Sequence, residues 1–265
     1  MSKQQEMTFW EHLDELRSIL LRIIAVWIVV LFATIIVMPH IFDSVILAPC
    51  SSNFILYRWL DQISRFLPQM PQFVADNTDI SLINIQLTSQ FVTHITTSMW
   101  LSLLLVFPYI LYQIWTFVSP ALYSHEKSNV KFTFGVGNLM FYLGVAIGYL
   151  IVFPLTLRFL ANYQVSDLIP NTISLDSYMS NFFTLTMAMG VVFELPLLCK
   201  LLSSMGLIDR SFFTIYRRHA IIAILLLAAI ITPSGDPFTL IVVFIPIYIV
   251  YEISALFVSP HKKQS

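Results

Sequence analysis

The chain has little of what a soluble protein needs on its surface. Only 11% of its 265 residues are charged and 57% are hydrophobic, whereas soluble domains carry roughly 25% charge. Fourteen basic and fifteen acidic side chains cannot cover a soluble body of this length, so lipid must do most of the covering. Two cysteines, Cys50 and Cys199, give neither a disulfide framework nor a CxxC metal pair, and they say nothing about compartment. A net charge of −1 argues against a nucleic-acid partner, because phosphate contacts call for a basic surface. Glycines are few, seven in all, and none forms GxxxxGK[ST] or a glycine-rich strand-to-helix turn, so a nucleotide-driven pump has no phosphate cradle. HExxH, GxSxG and paired His/Cys spacing are also missing, which leaves catalysis, metal binding and a bound cofactor without local support.

What the chain does have is long uncharged stretches. A bilayer core takes about 20 apolar residues per helix, and the gaps between charges predict six spans, at 23–38, 95–117, 132–156, 178–200, 219–232 and 238–257. The expected fold is all-α, a single polytopic membrane domain over 1–265. Residues 8–22 form an amphipathic cytoplasmic approach to the first span, and 39–93 form a large outside loop that packs as a cap. The fifth span is short enough to be half of a re-entrant hairpin instead. Pro108, Pro154, Pro196 and Pro246 fall inside spans, which predicts kinked helices and a concave bundle. Gly144 and Gly148 form GxxxG in the third span, a pattern that permits close helix contact but is frequent in apolar helices.

Orientation follows from the basic residues. Lys3, Arg17, Arg22, Lys127, Lys131, Lys200, Arg210, Arg217, Arg218, Lys262 and Lys263 fall at the two ends and in the even-numbered loops, whereas only Arg58, Arg65 and Arg158 fall on the other side. The positive-inside rule then puts both termini in the cytoplasm. The first 21 residues do not read as a cleaved signal peptide, because acids precede the apolar run and no small-residue cleavage site follows it.

Against this basic background some acids stand out. Thr8 and Glu11 are spaced as a capping box, so Glu11 is expected to be structural. Asp14 stands three residues before Arg17 and can pair with it along the helix. Glu15 has Glu11 at i−4 and Ser18 and Ile19 at i+3 and i+4, hence repulsion and no basic partner; it is either a solvated acid or one open to an external cation. Glu126 is placed at the cytoplasmic interface by Pro120, where Lys127 and Lys131 could neutralise it. If Glu15 and Glu126 converge instead, they form a two-carboxylate site suited to guanidinium, which bonds carboxylates through parallel N–H donors. Glu194 lies deep in the fourth span, where an acid costs about 2.5 to 3.5 kcal/mol. It should face protein or a watery cavity, as a proton relay or, in better accord with the few ionisable groups elsewhere, as a polar contact for a partner.

Four stretches resemble the TatC family, the multispanning receptor subunit of the twin-arginine protein translocase. They are His12-Leu13-Asp14-Glu15-Leu16-Arg17, Ala48-Pro49, the run from Phe107-Pro108-Tyr109 through Phe117 into Pro120-Ala121-Leu122-Tyr123-Ser124-His125-Glu126, and Phe193-Glu194-Leu195-Pro196. Thr232-Pro233 with Asp236, and Ile245-Pro246 with Tyr251-Glu252, add to it. The resemblance implies six helices with both termini inside the bacterial cytoplasmic membrane. It also implies a receptor, not an enzyme, for paired arginines in the signal peptides of folded export substrates. Glu15 and Glu126 would contact the arginines, with Leu16, Arg17, Pro49 and Phe117 supporting them and Glu194 and Asp236 serving as intramembrane polar contacts. Implied partners are single-span subunits of the TatA and TatB type and further copies of the chain, driven by the proton-motive force. Residues 53–79 match no part of the family pattern, and Leu240 stands where a polar residue is usual. Two rival classes are a proton-coupled small-solute transporter built on Glu194 and an intramembrane enzyme, for which no nucleophile and base can be nominated.

Overall fold

The computed structural model describes residues 9–64, 79–118, 130–166, 168, 171–204 and 206–258. Ten helices are described: α1 (Phe9–Ile41), α2 (Ile55–Ser64), α3 (Ser89–Val118), α4 (Val130–Ile147), α5 (Phe153–Asn162), α6 (Leu175–Val192), α7 (Leu195–Ser204), α8 (Arg210–Ile215), α9 (Arg217–Ile231) and α10 (Pro237–Phe257). Two short strands, β1 (Leu82–Ile83) and β2 (Ile173–Ser174), pair in parallel with Leu82 opposite Ile173. Among the described residues, five helical stretches are long and apolar enough to cross a membrane, beginning at Leu13, Ser89, Gly135, Leu175 and Pro237. With 15 residues, α9 is shorter than the usual span of about 20. The expected approach and first span are one continuous helix, α1.

The chain divides into two compact units, one of residues 1–39 with 94–138 and one of 40–93 with 139–265. In the first, α1 meets α3 through polar groups. Thr34 Oγ1 lies 3.1 Å from the Ser98 carbonyl while donating to Leu31 O at 2.8 Å, and His94 Nε2 is 2.9 Å from Ile35 O. Ser98 and Ser102 are fully buried, and each hydroxyl bonds back to its own helix, at His94 O and Met99 O. In lipid this is the economical arrangement, because an unsatisfied polar group there has no water to turn to.

The second unit is built on glycines and aromatic rings. A Cβ at Gly144 would lie 2.5 Å from Met189 O and 2.7 Å from Phe193 Cβ, and one at Gly148 would lie 2.8 Å from Thr186 Cα. The GxxxG pair is therefore where α4 and the turn after it come against α6 at backbone distance. Pro154 and Pro196 each stand in the first turn of a helix, α5 and α7, where the missing N–H costs nothing. Pro108 and Pro246 lie inside α3 and α10.

Two π-helical turns interrupt the regular pattern, Phe42–Ile46 after α1 and Gly148–Val152 before α5. Such turns disturb the carbonyl ladder and recur at functional places. Here the carbonyls around the first turn are taken by tyrosines: Tyr149 Oη donates to Val45 O at 2.7 Å, Tyr178 Oη to Ile46 O at 2.5 Å and Tyr57 Oη to Pro49 O at 2.9 Å. Behind them the Phe153 ring packs edge-to-face on Tyr178 and on Phe182, each at 5.1 Å, and those two rings stack at 6.2 Å. The connection toward β1 is tied down by Ile80 N to Cys50 O at 2.9 Å and by Ser52 N to Asp79 Oδ1 at 2.7 Å. The amide of Ser52, with its side chain, holds the Asp79 carboxyl below its ordinary pKa.

Candidate functional site

Glu15 lies in the second turn of the described part of α1, half-buried between exposed Asp14 and Leu16. Its Oε2 is shielded from solvent and has no hydrogen-bond partner among the described residues. Arg17, two positions on, is exposed. Helical spacing explains the difference: Glu15 shares a face with Ile19 at i+4, which is 5% exposed, whereas Leu13, Leu16 and Leu20 are all exposed. Thr8 and Glu126, with Lys127 between the same spans, lie outside the described residues, as do the side chains of Glu11, His12 and Lys131.

Phe117 is half-buried near the end of α3, the helix that leads toward Glu126. One turn before it, Gln113 is buried and its Nε2 donates to Tyr109 Oη at 2.6 Å. Pro49 belongs to the other compact unit. It is buried in a single 3-10 turn, Ala48–Cys50, and its carbonyl is the acceptor for Tyr57. Proline at the start of such a turn presets φ, and Tyr57 then fixes the turn against α2.

Glu194 stands at the break between α6 and α7. The fourth span was expected to pass through it with a kink at Pro196. Instead Phe193 and Glu194 form a turn, because Pro196 has no N–H to continue the ladder, and the helix resumes with Leu198 N donating to Glu194 O at 3.0 Å. Both carboxylate oxygens are shielded from solvent without a hydrogen-bond partner among the described residues. A polar group left so inside an apolar span is expensive.

Asp236 behaves differently. It is the N-cap of α10: Oδ1 accepts from Thr239 N at 2.7 Å and Oδ2 accepts from Ser234 Oγ at 2.5 Å. Partial burial alone would raise its pKa, but the hydrogen bonds from Ser234 and Thr239 outweigh that and hold it below the usual carboxylate range. The sequence carried this signal, Asp-Pro-Phe-Thr, with an N-cap acid and a proline at the first helical position. Leu240 follows in the first turn of α10, half-buried.

The sequence reading passed over Arg158, counting it only as a loop charge. It is 2% exposed, and its guanidinium stacks 4.2 Å from the centre of the Tyr57 ring. Only tertiary contact reveals this, since Arg158 and Tyr57 are a hundred residues apart in the chain. Among the described residues no group of His, Cys, Asp and Glu is placed to hold a metal ion.

Long apolar helices, a shielded acid within one of them and a half-buried carboxylate at the foot of another define a polytopic helical membrane protein built to make contacts. The family described as "Sec-independent protein translocase protein (TatC)" matches residues 11–246, nearly the whole chain. The chain is 34% identical to the Sec-independent protein translocase protein TatC of Blattabacterium (Periplaneta americana), over 96% of this chain and 95% of the relative. It is 32% identical to that of Escherichia coli K12, over 97% and 90%. A crystal structure of the twin-arginine translocase receptor TatC superposes with a TM-score of 0.71 at 29% identity, covering 93% of this chain and 97% of that one. The chain belongs to the TatC family. It is a multi-pass membrane component of a protein translocase and not an enzyme. The solute-transporter and intramembrane-enzyme readings are set aside by that membership.

Proposed function

We propose that this chain is the receptor that captures twin-arginine signal peptides of folded export substrates, with Glu15 and Glu126 as the carboxylates that take the two guanidinium groups. The observation that carries the reading is Glu15: a half-buried acid whose shielded oxygen has no partner among the described residues, at the foot of the first apolar helix. A partly shielded carboxylate gains about 1.5 to 3 kcal/mol from each charge-assisted hydrogen bond, and guanidinium supplies two in parallel where ammonium cannot. Leu16, Arg17 and Phe117 frame that surface, and Pro49 holds the turn beyond the far end of α1.

In this reading the chain spans the bacterial inner membrane six times, α9 supplying the short fifth crossing, and both termini are cytoplasmic. Single-span subunits of the TatA and TatB type assemble on it, as do further copies of the chain, and transport draws on the proton-motive force. Glu194 is the contact offered to a partner helix. Asp236 contributes by fixing the turn between α9 and α10.

The test is binding of an Arg-Arg signal peptide and its Lys-Lys counterpart to the solubilised chain, with Glu15→Ala and Glu126→Ala. Loss of the Arg-Arg preference in both variants with the fold intact is the expected result. An unchanged preference would make both acids structural.

A further inference from the structure

Between the span that ends at Ser204 and the short helix α9 lies α8, and its side chains divide in an unusual way. Asp209 caps it, accepting from Phe212 N at 3.2 Å and from Ser211 Oγ at 2.6 Å. Phe213 points inward: it is 4% exposed, its ring lies 5.2 Å from that of Tyr251, and its carbonyl accepts from Tyr251 Oη at 3.1 Å. That anchor turns Phe212, Ile215 and Tyr216 outward at i, i+3 and i+4, with exposures of 41%, 63% and 46%. The rings of Phe212 and Tyr216 pack against one another at 4.8 Å, tilted by 42°, so the exposed apolar face is preformed.

Around this face three arginines outnumber two acids, both of which are engaged. Arg210, Arg217 and Arg218 are all exposed. Arg217 Nη2 is held by Glu252 Oε2 at 2.8 Å, and that carboxylate also accepts from Tyr248 Oη at 2.8 Å. The neighbouring acids, Asp209 and Glu252, are thus engaged in a cap and an ion pair. Neither Arg210 nor Arg218 has an ion pair among the described residues.

Water does not favour three large apolar side chains exposed within five residues, and the bilayer core does not favour three arginines in nine. The layer that accommodates both is the headgroup zone, where an amphipathic segment lays its apolar side chains on the acyl boundary and its cations among phosphates. Chain length limits the depth, because residues 205–209 alone separate α8 from the apolar stretch that ends at Ser204. Charge fixes the occupant.

We propose that residues 210–218 form a binding site for anionic phospholipid headgroups, with Phe212, Ile215 and Tyr216 seated on the acyl boundary and Arg210 and Arg218 taking the phosphate through paired N–H donors. Its residues are not those of the signal-peptide reading, and the proposal does not rest on that reading. It would hold the turn between α7 and α9 at a set depth in the leaflet.

The experiment titrates phosphatidylglycerol and phosphatidylcholine into the detergent-solubilised full chain and counts bound lipid by native mass spectrometry. The wild type should prefer phosphatidylglycerol by roughly tenfold, less at high salt. R210Q/R218Q should lose that preference, R210K/R218K should recover part of it, and Ile215→Ser should weaken both lipids alike. Both arginines are exposed, so helicity and the Arg217 to Glu252 pair should survive, and Arg-Arg peptide binding should be unchanged. Equal affinity for the two lipids in the wild type, or a preference untouched in R210Q/R218Q, overturns the proposal; the second result would assign the apolar face to a protein partner.

Discussion

The guanidinium of Arg158 lies 4.2 Å from the centre of the Tyr57 ring, and the same tyrosine's hydroxyl bonds Pro49 O at 2.9 Å and lies 3.3 Å from Pro154 O. One aromatic side chain thus joins the turn at Pro49 to the helix that carries Arg158. A buried cation over a ring is worth about 2 kcal/mol, and the hydroxyl bond about 1 kcal/mol. Tyr57→Phe should therefore cost roughly 1 kcal/mol and Tyr57→Leu distinctly more, read as thermal unfolding in detergent. Equal losses in the two variants would mean that the ring contact contributes nothing.

Gly144→Ala should destabilise by about 1 to 3 kcal/mol, because the added methyl meets the Met189 carbonyl and the Phe193 side chain at distances real atoms do not adopt. Gly135→Ala is the control. Nothing lies within 4 Å of its added Cβ, so the same exchange should stabilise by about 0.5 to 1 kcal/mol through helix propensity. Unfolding midpoints of the two variants moving in the same direction would contradict the close approach of α4 and α6.

Asp236→Ala should cost about 1 kcal/mol by removing the cap of α10, while Asp236→Asn keeps an acceptor for Thr239 N. The folded-state pKa of Asp236 is depressed, so its contribution is complete above the ordinary carboxylate pKa and is lost as pH falls through the folded value. The acid limb of the stability profile should therefore flatten in Asp236→Asn relative to wild type. An unaltered limb would place the acid sensitivity elsewhere.

Glu194→Leu should leave the isolated chain as stable as wild type or more so, because it removes a shielded acid with no partner among the described residues. In the assembled translocase the same change should reduce co-purification of single-span subunits, and Glu194→Gln should reduce it less. A variant that unfolds alone, or one that assembles normally, would show that the acid's contact lies within this chain.

Much of the fold was legible in the chain because a bilayer imposes one rule on every span. Apolar runs between charge clusters must be helical, so the class of fold followed from gaps alone. The run His12-Leu13-Asp14-Glu15-Leu16-Arg17 together with Pro120-Ala121-Leu122-Tyr123-Ser124-His125-Glu126 suggested the family. Two features were legible only in part. Pro196 predicts a kink in the fourth span, but the structure places a full break of two residues at Phe193 and Glu194, where the amide missing at Pro196 interrupts the ladder. The Asp-Pro-Phe-Thr run carries a cap signal, yet only the structure shows that local hydrogen bonds occupy both oxygens of Asp236.

The sequence by itself determined that this chain lives in lipid, that it is helical, and where its uncompensated acids fall, because hydrophobicity and charge act locally and their periodicity is written along the chain. Only the tertiary structure decided that GxxxG is a backbone contact, that three tyrosines occupy the carbonyls around one π-helical turn, and that Arg158 is buried on a ring. Those outcomes join residues up to 132 positions apart, as in Tyr178 and Ile46. Their energies depend on distance and direction in space, which no spacing along the chain contains.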